Sequence, residues 1–391
     1  MRTIREQAEQ RVTALTALRR ELHRRPELAL CEYGTAAVIE RELDKAGIEH
    51  QRIGETGVLG VLRGAAPGSV VALRADIDAL PIQEESGAAY RSEIDGVMHA
   101  CGHDAHVTCL LGAAGILSER REMFSGEIRL IFQPAEETGG GAADFLSAGT
   151  LRGVRRVFGL HVAPDLPAGT VGITPGLNNA AVDHFRVKVH GKSAHVAAPQ
   201  LGADALYAAS QIVVAIQGIA ARRMSPTEPV ILGVGTLKAG TTYNAVAEHA
   251  ELEGTTRTIS QRARMEARER IDETARHIAA VSGAESESVW TGICSALVNA
   301  PEACAEAQNV ARELGFSVVE NRPLSLSGDN FSEYLLQVPG CYAYLGTANE
   351  ALPNTLAGIH NSHFDLDEST LPMGAALYAA CALRWLANPE E

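Results

Sequence analysis

The chain has 391 residues, of which 46% are apolar and 21% charged, a composition that fits a globular protein of two or three domains and excludes fibrous and disordered classes. The net charge of −14 disfavours nucleic acid and anionic membranes as partners. No apolar stretch reaches the ~18 to 20 residues of a membrane span and the N-terminus lacks a signal-peptide pattern, so a cytoplasmic protein is predicted.

The first part of the chain alternates helical and strand patterns. Apolar spacing predicts helices over 5–25, 33–46, 104–122 and 141–149. β-Branched runs predict strands over 69–75, 126–133 and 155–162. This alternation is typical of an α/β domain.

The periodicity changes after Asn179. Phe185, Val187 and Val189 alternate with polar residues as in a half-buried strand, and a helix is predicted over 203–223. Strands over 230–237, 247–259 and 286–292 and a helix over 262–282 follow. The order β-α-β-β-α-β is that of a ferredoxin-like α+β unit, so 183–294 is predicted to be an inserted domain.

Residues 295–391 return to the α/β pattern, with helices predicted over 302–314, 329–337 and 370–387 and a strand over 341–346. Together with 1–182 they are expected to form the first domain, because an insertion is tolerated where a host domain brings both ends of a surface loop together.

Acidic residues and a Cys-x-His pair follow two of these segments. Asp76 and Asp78 follow an apolar strand, where an acid can bind metal, orient a histidine or simply cap a turn. Cys101 and His103 are two apart, so in an extended segment both would project from one face and reach one ion, with Asp104 as N-cap of the next helix. A buried core role is the alternative for either side chain.

The cysteines are scattered and seven in number, which favours a reducing compartment over a disulfide framework.

A glutamate pair and a histidine complete the set. Glu136 and Glu137 follow a strand, and adjacent carboxylates repel each other unless a cation neutralises one of them. One could bind metal while the other faces the reacting water; a solvated surface pair is the alternative. His161 lies within an apolar run, where a core histidine is the ordinary interpretation unless the other segments converge on it.

These segments resemble, in order, those of the M20 metallopeptidase family, in the amidohydrolase branch that includes hippurate hydrolases, aminoacylases and auxin-conjugate hydrolases. The matching segments are residues 74–81 (RADIDALP), 98–104 (MHACGHD), 132–137 (FQPAEE) and 159–162 (GLHV). The resemblance extends from residues 22–28 to residues 360–368. It implies a zinc-exopeptidase-like catalytic domain with an inserted ferredoxin-like lid and dimerisation domain.

The resemblance also implies a role for each matching residue. Glu136 corresponds to the general base, Asp76 to an acid that orients a ligand histidine, and His195 to a histidine that polarises the scissile carbonyl, often across a dimer. Asn244 and Arg257 correspond to residues that hold the substrate carboxylate, although Arg257 could instead form a salt bridge at a strand edge. Two divalent ions would be held by Cys101, His103, Glu137, His161 and His360.

The chain departs from the branch pattern at three places. Ser193-Ala194 replaces Gly-Gly, Asp329-Asn330 replaces Glu-Asp, and Asn361-Ser362-His363 replaces Ser-Pro, which makes His363 a rival ligand to His360. The first two departures are expected near the substrate, so we expect all three to affect specificity more than chemistry.

The sequence thus predicts a binuclear metal-dependent hydrolase of N-acyl amino acids or related small amides. A dipeptidase and a catalytically silent binding protein on the same scaffold are the alternatives. Cysteine favours a soft ion whereas histidine and carboxylate suit several, so Zn, Mn and Co all remain open. No motif fixes the acyl group.

The inserted domain is also expected to form a homodimer. The 203–223 helix is apolar around much of its circumference, and a β-α-β-β-α-β unit ends in an exposed edge strand that can pair with a second copy. The alternative is that this apolar surface packs on the catalytic domain and that His195 acts within its own chain.

Overall fold

The computed structural model describes residues 2–387, which form two compact units. The larger unit comprises residues up to 178, 298–323 and those from 330 onward, and the smaller unit comprises 179–297 and 324–329. The sequence-based boundaries after 182 and before 295 lie close to these limits. Residues 324–329, assigned from the sequence to the first domain, belong to the smaller unit.

The larger unit is an α/β fold, as predicted. Its helices are α1 Arg2–Glu9, α2 Val12–Arg24, α3 Tyr33–Lys45, α4 His103–Ser118, α5 Ala142–Ser147, α8 Pro301–Glu313, α9 Phe331–Leu335 and α10 Leu371–Ala387. Its strands are β1 Glu49–Ile53, β2 Gly57–Arg63, β3 Val70–Asp76, β4 Glu127–Gln133, β5 Val154–Pro167, β6 Thr170–Gly172, β13 Ser317–Val319 and β14 Gly340–Ala348. The short strands β7 Gly176–Asn179 and β12 Leu297–Asn299 lie where the chain passes between the units.

The sheet of the larger unit has the order β1-β2-β4-β3-β5-β14-β6-β13. Its four central strands run parallel, because β3 pairs in parallel with both β4 and β5, and β5 pairs in parallel with β14. The carboxyl ends of β4, β3, β5 and β14 therefore meet at one edge, which is where open α/β sheets form their sites.

Two buried helices form much of the core beside this sheet. Nearly every residue of α4 is buried, as is most of α10, and a helix that is apolar on all sides is expected to be buried in this way. The two helices approach closely at Gly112, where an added Cβ would lie 2.9 Å from the Cβ of Ala375. The rigid placement of α4 matters because its first residue is His103.

The sequence predictions differ from the structure in two respects. The helix predicted over 5–25 is two helices, α1 and α2, and no glycine or proline marks the break between them. The strands β1, β2, β6, β7, β12 and β13 were not predicted. β1 is a polar segment in which only Ile53 is buried, so its sequence carries no apolar alternation.

The smaller unit has the predicted β-α-β-β-α-β order. Its elements are β8 Ala181–His190, α6 Ala205–Arg222, β9 Val230–Ala239, β10 His249–Thr258, α7 Gln261–Val281 and β11 Glu285–Cys294. The antiparallel sheet has the order β11-β8-β10-β9, so β9 and β11 are its edges. The ferredoxin-like assignment of this segment is confirmed.

Helix α6 is more apolar than one buried face requires. Among the helices of residues 2–387, only α6 is long and apolar enough to cross a membrane. The prediction that no apolar stretch reaches the length of a membrane span is therefore wrong for this helix. Its buried face (Ala205, Ala208, Ala209, Ile212, Ile216 and Ile219) packs in the core of the smaller unit, as in the core helix of a globular domain. Leu206, Tyr207 and Val214 are exposed, Val214 at 71%.

Candidate metal centre

The predicted metal-binding side chains gather at the carboxyl edge of the central sheet. Asp76 is the last residue of β3, Gln133 is the last residue of β4, and His161 lies in β5. Glu136 and Glu137 follow β4 directly. The parallel pairing of these strands is the reason that residues distant in sequence meet here.

Cys101 and His103 enter the site through a helix start. Gly102 is the N-cap of α4, with φ +83° in the left-handed region, and an added Cβ would lie 2.5 Å from Cγ2 of Val162. The predicted extended segment is therefore wrong, as is the prediction that Asp104 is the N-cap. Asp104 lies in the first turn of α4, where Arg19 and His23 bind its carboxylate.

His103 is held by one ring nitrogen and leaves the other available. Its Nδ1 lies 2.9 Å from the carbonyl oxygen and 3.2 Å from Oδ1 of Asp78, while its buried Nε2 makes no hydrogen bond. Burial opposes a charge on this ring, but Asp76, Cys101 and Asp78 outweigh it and raise the pKa of His103 well above its ordinary value. The surroundings of Nε2 thus favour positive charge.

The carboxylate that orients His103 is Asp78 rather than Asp76. Asp78 Oδ2 also accepts a hydrogen bond of 3.0 Å from the N–H of Glu137, so Asp78 fixes two predicted ligands at once. The sequence could have indicated this role, because Asp78 lies two positions after Asp76 and their side chains therefore project to the same side in an extended segment.

Asp76 instead contacts His106 and Arg74. Asp76 Oδ1 lies 2.5 Å from Nδ1 of His106, and Arg74 donates to Asp76 Oδ2 at 2.6 Å; the distance from Asp76 to Nε2 of His103 is 3.8 Å. His106 Nε2 accepts a hydrogen bond from the N–H of Val162, and burial lowers the pKa of His106 to about 4. Both nitrogens of His106 are therefore occupied in joining β3, α4 and β5.

The glutamate pair lies in a short 3₁₀ turn, Glu136–Thr138. The preceding Ala135 has φ +59°, and its N–H donates to the buried carboxylate of Glu32 at 2.9 Å, which holds this strained residue in place. Glu137 Oε1 is buried without a hydrogen bond and lies 3.3 Å from Nε2 of His360. Burial opposes its ionisation, but His360 and His103 outweigh that effect and lower the pKa of Glu137.

His161 and His360 enter the site from segments far apart in the sequence. Nδ1 of His161 lies 2.7 Å from the carbonyl oxygen of Val162, and Nε2 lies 3.3 Å from Sγ of Cys101. Burial lowers the pKa of His161 to about 4, so the ring is neutral at pH 7. His360 has φ +62°, and its N–H donates to the carbonyl of Ala100 at 2.8 Å.

The rival ligand His363 lies outside this cluster. It is exposed, and its nearest acidic partner among the described residues is Glu85, at 4.0 Å.

The ligand-type atoms form groups that share Cys101. Cys101, His103 and His161 have such atoms within 4.8 Å of one another, as do Cys101, Glu137 and His360. A third group joins His103, Glu136 and Glu137 within the same limit. A thiol, neutral imidazoles and carboxylates are the ligand types of Zn and neighbouring ions. The buried, unbonded atoms His103 Nε2 and Glu137 Oε1 fit metal binding, because buried polar atoms are otherwise paired.

The remaining predicted residues lie in the smaller unit. His195 is exposed, forms a backbone bridge with Ala245, and accepts at Nδ1 from the N–H of Ala197. Exposed Asn244 accepts at its carbonyl from the N–H of Val196, so His195 and Asn244 lie on paired segments. Arg257 is half-buried in β10, opposite Val182 and Ile231.

One departure from the family pattern lies next to the predicted base. The N–H of Asn330 donates to Oε1 of Glu136 at 3.1 Å, and Asn330 itself is 1% exposed. Asn330 therefore lies beside the predicted base, and the expectation that this departure affects specificity more than chemistry stays a prediction.

Comparison with known proteins identifies the family of this chain. Residues 72–384 match the model of peptidase family M20/M25/M40. Over 377 residues the chain is 39% identical to thermostable carboxypeptidase 2 of Saccharolobus solfataricus, covering 94% of each protein. It is 37% identical to N-acetylcysteine deacetylase of Bacillus subtilis over 373 residues, covering 95% of this chain and 96% of the relative.

A solved structure supports the same conclusion. The YXEP protein of Bacillus subtilis, described as a dinuclear metal-binding peptidase of the M20 family, has 36% sequence identity and a TM-score of 0.82, with 96% of this chain and 98% of that chain covered. The family resemblance found in the sequence is thereby confirmed. The chain belongs to peptidase family M20/M25/M40 and is a hydrolase of that family.

Proposed function

We propose that the protein is a binuclear metal-dependent hydrolase that cleaves the amide bond of N-acyl amino acids or related small conjugates. The observation that carries this proposal is that two ligand groups share Cys101 while the carboxylate of Glu136 lies within the adjoining group. The relative named N-acetylcysteine deacetylase and the neighbour described as dinuclear metal-binding support it.

Five side chains would hold the ions, and Cys101 is the one found in two of the ligand groups: Cys101, His103, Glu137, His161 and His360. When bound, two divalent ions supply Lewis-acid polarisation of the carbonyl and lower the pKa of a coordinated water. Asp78 binds Nδ1 of His103 and so leaves Nε2 free to bind metal. Zn, Mn and Co are the candidate ions.

Glu136 would act as the general base. Its carboxylate is held by the N–H of Asn330 and can accept a proton from the attacking water and then deliver it to the leaving nitrogen. The adjacent Glu137 is engaged with His360. The two glutamates therefore divide proton transfer and metal binding between them.

The substrate would be held from the smaller unit. Arg257 suits a substrate carboxylate because guanidinium groups bind carboxylates in a bidentate manner, with Asn244 as its partner and His195 polarising the scissile carbonyl. We further propose a cytoplasmic location, which agrees with the seven cysteines being free of disulfides.

A peptide substrate is the second candidate. The similarity to thermostable carboxypeptidase 2 favours it, and the sequence had left a dipeptidase open. Both substrate classes end in a free carboxylate, so they differ only in whether the acyl side carries an amine. The silent binding protein is disfavoured because Glu136 and every predicted ligand are present.

A substrate panel tests the proposed activity. Apoenzyme reconstituted separately with Zn, Mn and Co should release the free amino acid from N-acyl amino acids, measured by amine detection, in at least one metal form. The same acyl series with a free α-amine, as dipeptides, is the matched comparison. Turnover of the dipeptides alone would replace the proposal with a dipeptidase, and no turnover in any form would leave a binding protein.

Substitution of the two glutamates tests their division of roles. Glu136→Gln keeps the size of the side chain but cannot accept a proton, so kcat should fall at least ~10²-fold with metal content retained. Glu137→Gln should instead lower metal occupancy, measured by elemental analysis. Normal turnover in Glu136→Gln contradicts the base assignment, and full metal occupancy in Glu137→Gln means that the roles are reversed.

Alkylation of cysteine tests ligation by Cys101. A metal-bound thiolate should resist iodoacetamide until a chelator removes the ions, so labelling of Cys101, read by peptide mass spectrometry, should rise after chelation. Cys31 is exposed and is the internal control, since it should label equally in both samples. Equal labelling of Cys101 with and without chelator argues against ligation.

We also propose a homodimer formed through the smaller unit, in which His195 completes the site of the partner. The exposed edges β9 and β11 and the exposed apolar residues of α6 support it. Mixing Glu136→Gln protein with His195→Ala protein should restore activity above either parent, because a heterodimer contains one intact site. No recovery despite measured subunit exchange contradicts action across the dimer, and a monomer by light scattering contradicts the dimer.

A further inference from the structure

Asn330 is buried beneath the proposed base and is joined to it directly. It precedes α9 and is 1% exposed. We propose that Asn330 is a positioning residue that fixes the carboxylate of Glu136, through a buried network that links the ends of β3 and β4 to the loop after Glu136. This inference rests on the proposed function of Glu136 as general base.

The backbone N–H and the side-chain amide of Asn330 all form hydrogen bonds within this network. Its N–H donates to Oε1 of Glu136 at 3.1 Å. Its Oδ1 accepts from Nη2 of Arg74 and from Nε2 of Gln133, each at 2.8 Å. Its Nδ2 donates to the carbonyl of Gly140, also at 2.8 Å. The side chain therefore anchors the backbone that holds the base.

The anchoring partners are themselves rigid. Arg74, which is 1% exposed, also donates to Asp76 and to Oε1 of Gln133. Arg74 and Gln133 belong to the paired strands β3 and β4, and Gly140 lies just beyond the turn that carries Glu136. Movement of Asn330 would thus break contacts to two strands and to the catalytic loop.

Core packing fixes the direction of the Asn330 N–H. The next residue, Phe331, is fully buried and stacks on Tyr342 with 4.9 Å between ring centroids. Gly159 lies against both rings, because an added Cβ would be 2.9 Å from Cε2 of Phe331 and 2.9 Å from Cδ2 of Tyr342. Phe331 consequently has no room to shift, and the adjacent backbone cannot easily rotate away from Glu136.

The side-chain amide of Asn330 uses its oxygen as an acceptor and its nitrogen as a donor. Aspartate at this position would still accept from Arg74 and Gln133, but it would place an oxygen against the carbonyl of Gly140 in place of a donor. The half-buried carbonyl of Gly140 would lose one of its two donors and keep only Nε2 of Gln133, at 3.1 Å, and the added charge would face the Glu136 carboxylate.

Kinetics of three variants test the proposal. Asn330→Ala and Asn330→Asp should lower kcat about 10- to 100-fold by misplacing the base, with KM and metal content nearly unchanged. Asn178→Ala is the matched control, because Asn178 is also buried and its Nδ2 donates to the carbonyls of Thr174 and Gly176, outside the network around Asn330. It should lower the melting temperature while kcat stays within about 2-fold of wild type.

A double variant separates positioning from general destabilisation. If Asn330 acts through Glu136, adding Asn330→Ala to Glu136→Gln should change kcat by no more than about 2-fold, since the base is already lost. A full additional loss in that background, or a drop in melting temperature without a drop in kcat in both Asn330 variants, overturns the proposal. Should Asn330→Ala fail to fold, Asn330→Asp, which keeps the side-chain shape, gives the same comparison.

A crystal structure of the Asn330→Asp protein gives a readout that is independent of activity. The Glu136 carboxylate should be displaced by about 1 Å or occupy several conformers, whereas an unmoved, single conformer overturns the positioning role. If Glu136→Gln keeps full turnover, the proposed function fails, and the crystal structure still decides whether Asn330 places Glu136.

Discussion

The left-handed backbone of Gly102 is the constraint on which the metal centre depends. Cys101 belongs to two of the candidate ligand groups, and Gly102 turns the chain so that the next residue, His103, begins α4. A side chain at 102 would collide with Val162. The backbone on the other side of Cys101 is fixed as well, because Ala100 accepts from the N–H of His360. This left-handed turn, which glycine adopts without strain, thus helps to bring together ligands from three distant segments.

A surplus of acidic groups gives the site its preference for cations. Asp76, Asp78, Glu136 and Glu137 lie around His103, and Arg74 donates to Asp76. Burial alone would raise the pKa of the Cys101 thiol well above its ordinary value, so a thiolate here needs positive charge beside it. Metal binding and local order are consequently linked, as they are wherever ligands must lose protons to bind.

A set of buried polar contacts supports the charged residues around His103. Asp78 joins His103 to the backbone of Glu137, Glu32 restrains Ala135, and Asn330 ties Glu136 to two strand ends. Because each of these residues satisfies groups on two elements, a substitution among them would disturb the geometry of the reaction. The altered Asp329-Asn330 motif is an example, since its asparagine acts beneath the base.

The sequence by itself determined the α/β class, the ferredoxin-like insertion and the identity of the residues that converge at the metal centre. The fold follows from periodicity, and Cys101, His103, Glu137 and His161 were candidates by side-chain type, whereas His360 was implied by the resemblance to the M20 family. Tertiary structure alone decided that Asp78 orients His103 while Asp76 binds His106, that His363 lies outside the cluster, and that Asn330 contacts Glu136. Those pairings depend on which strand ends become neighbours and on left-handed residues such as His360. Local sequence spacing does not encode them, because the segments meet only after the sheet has formed.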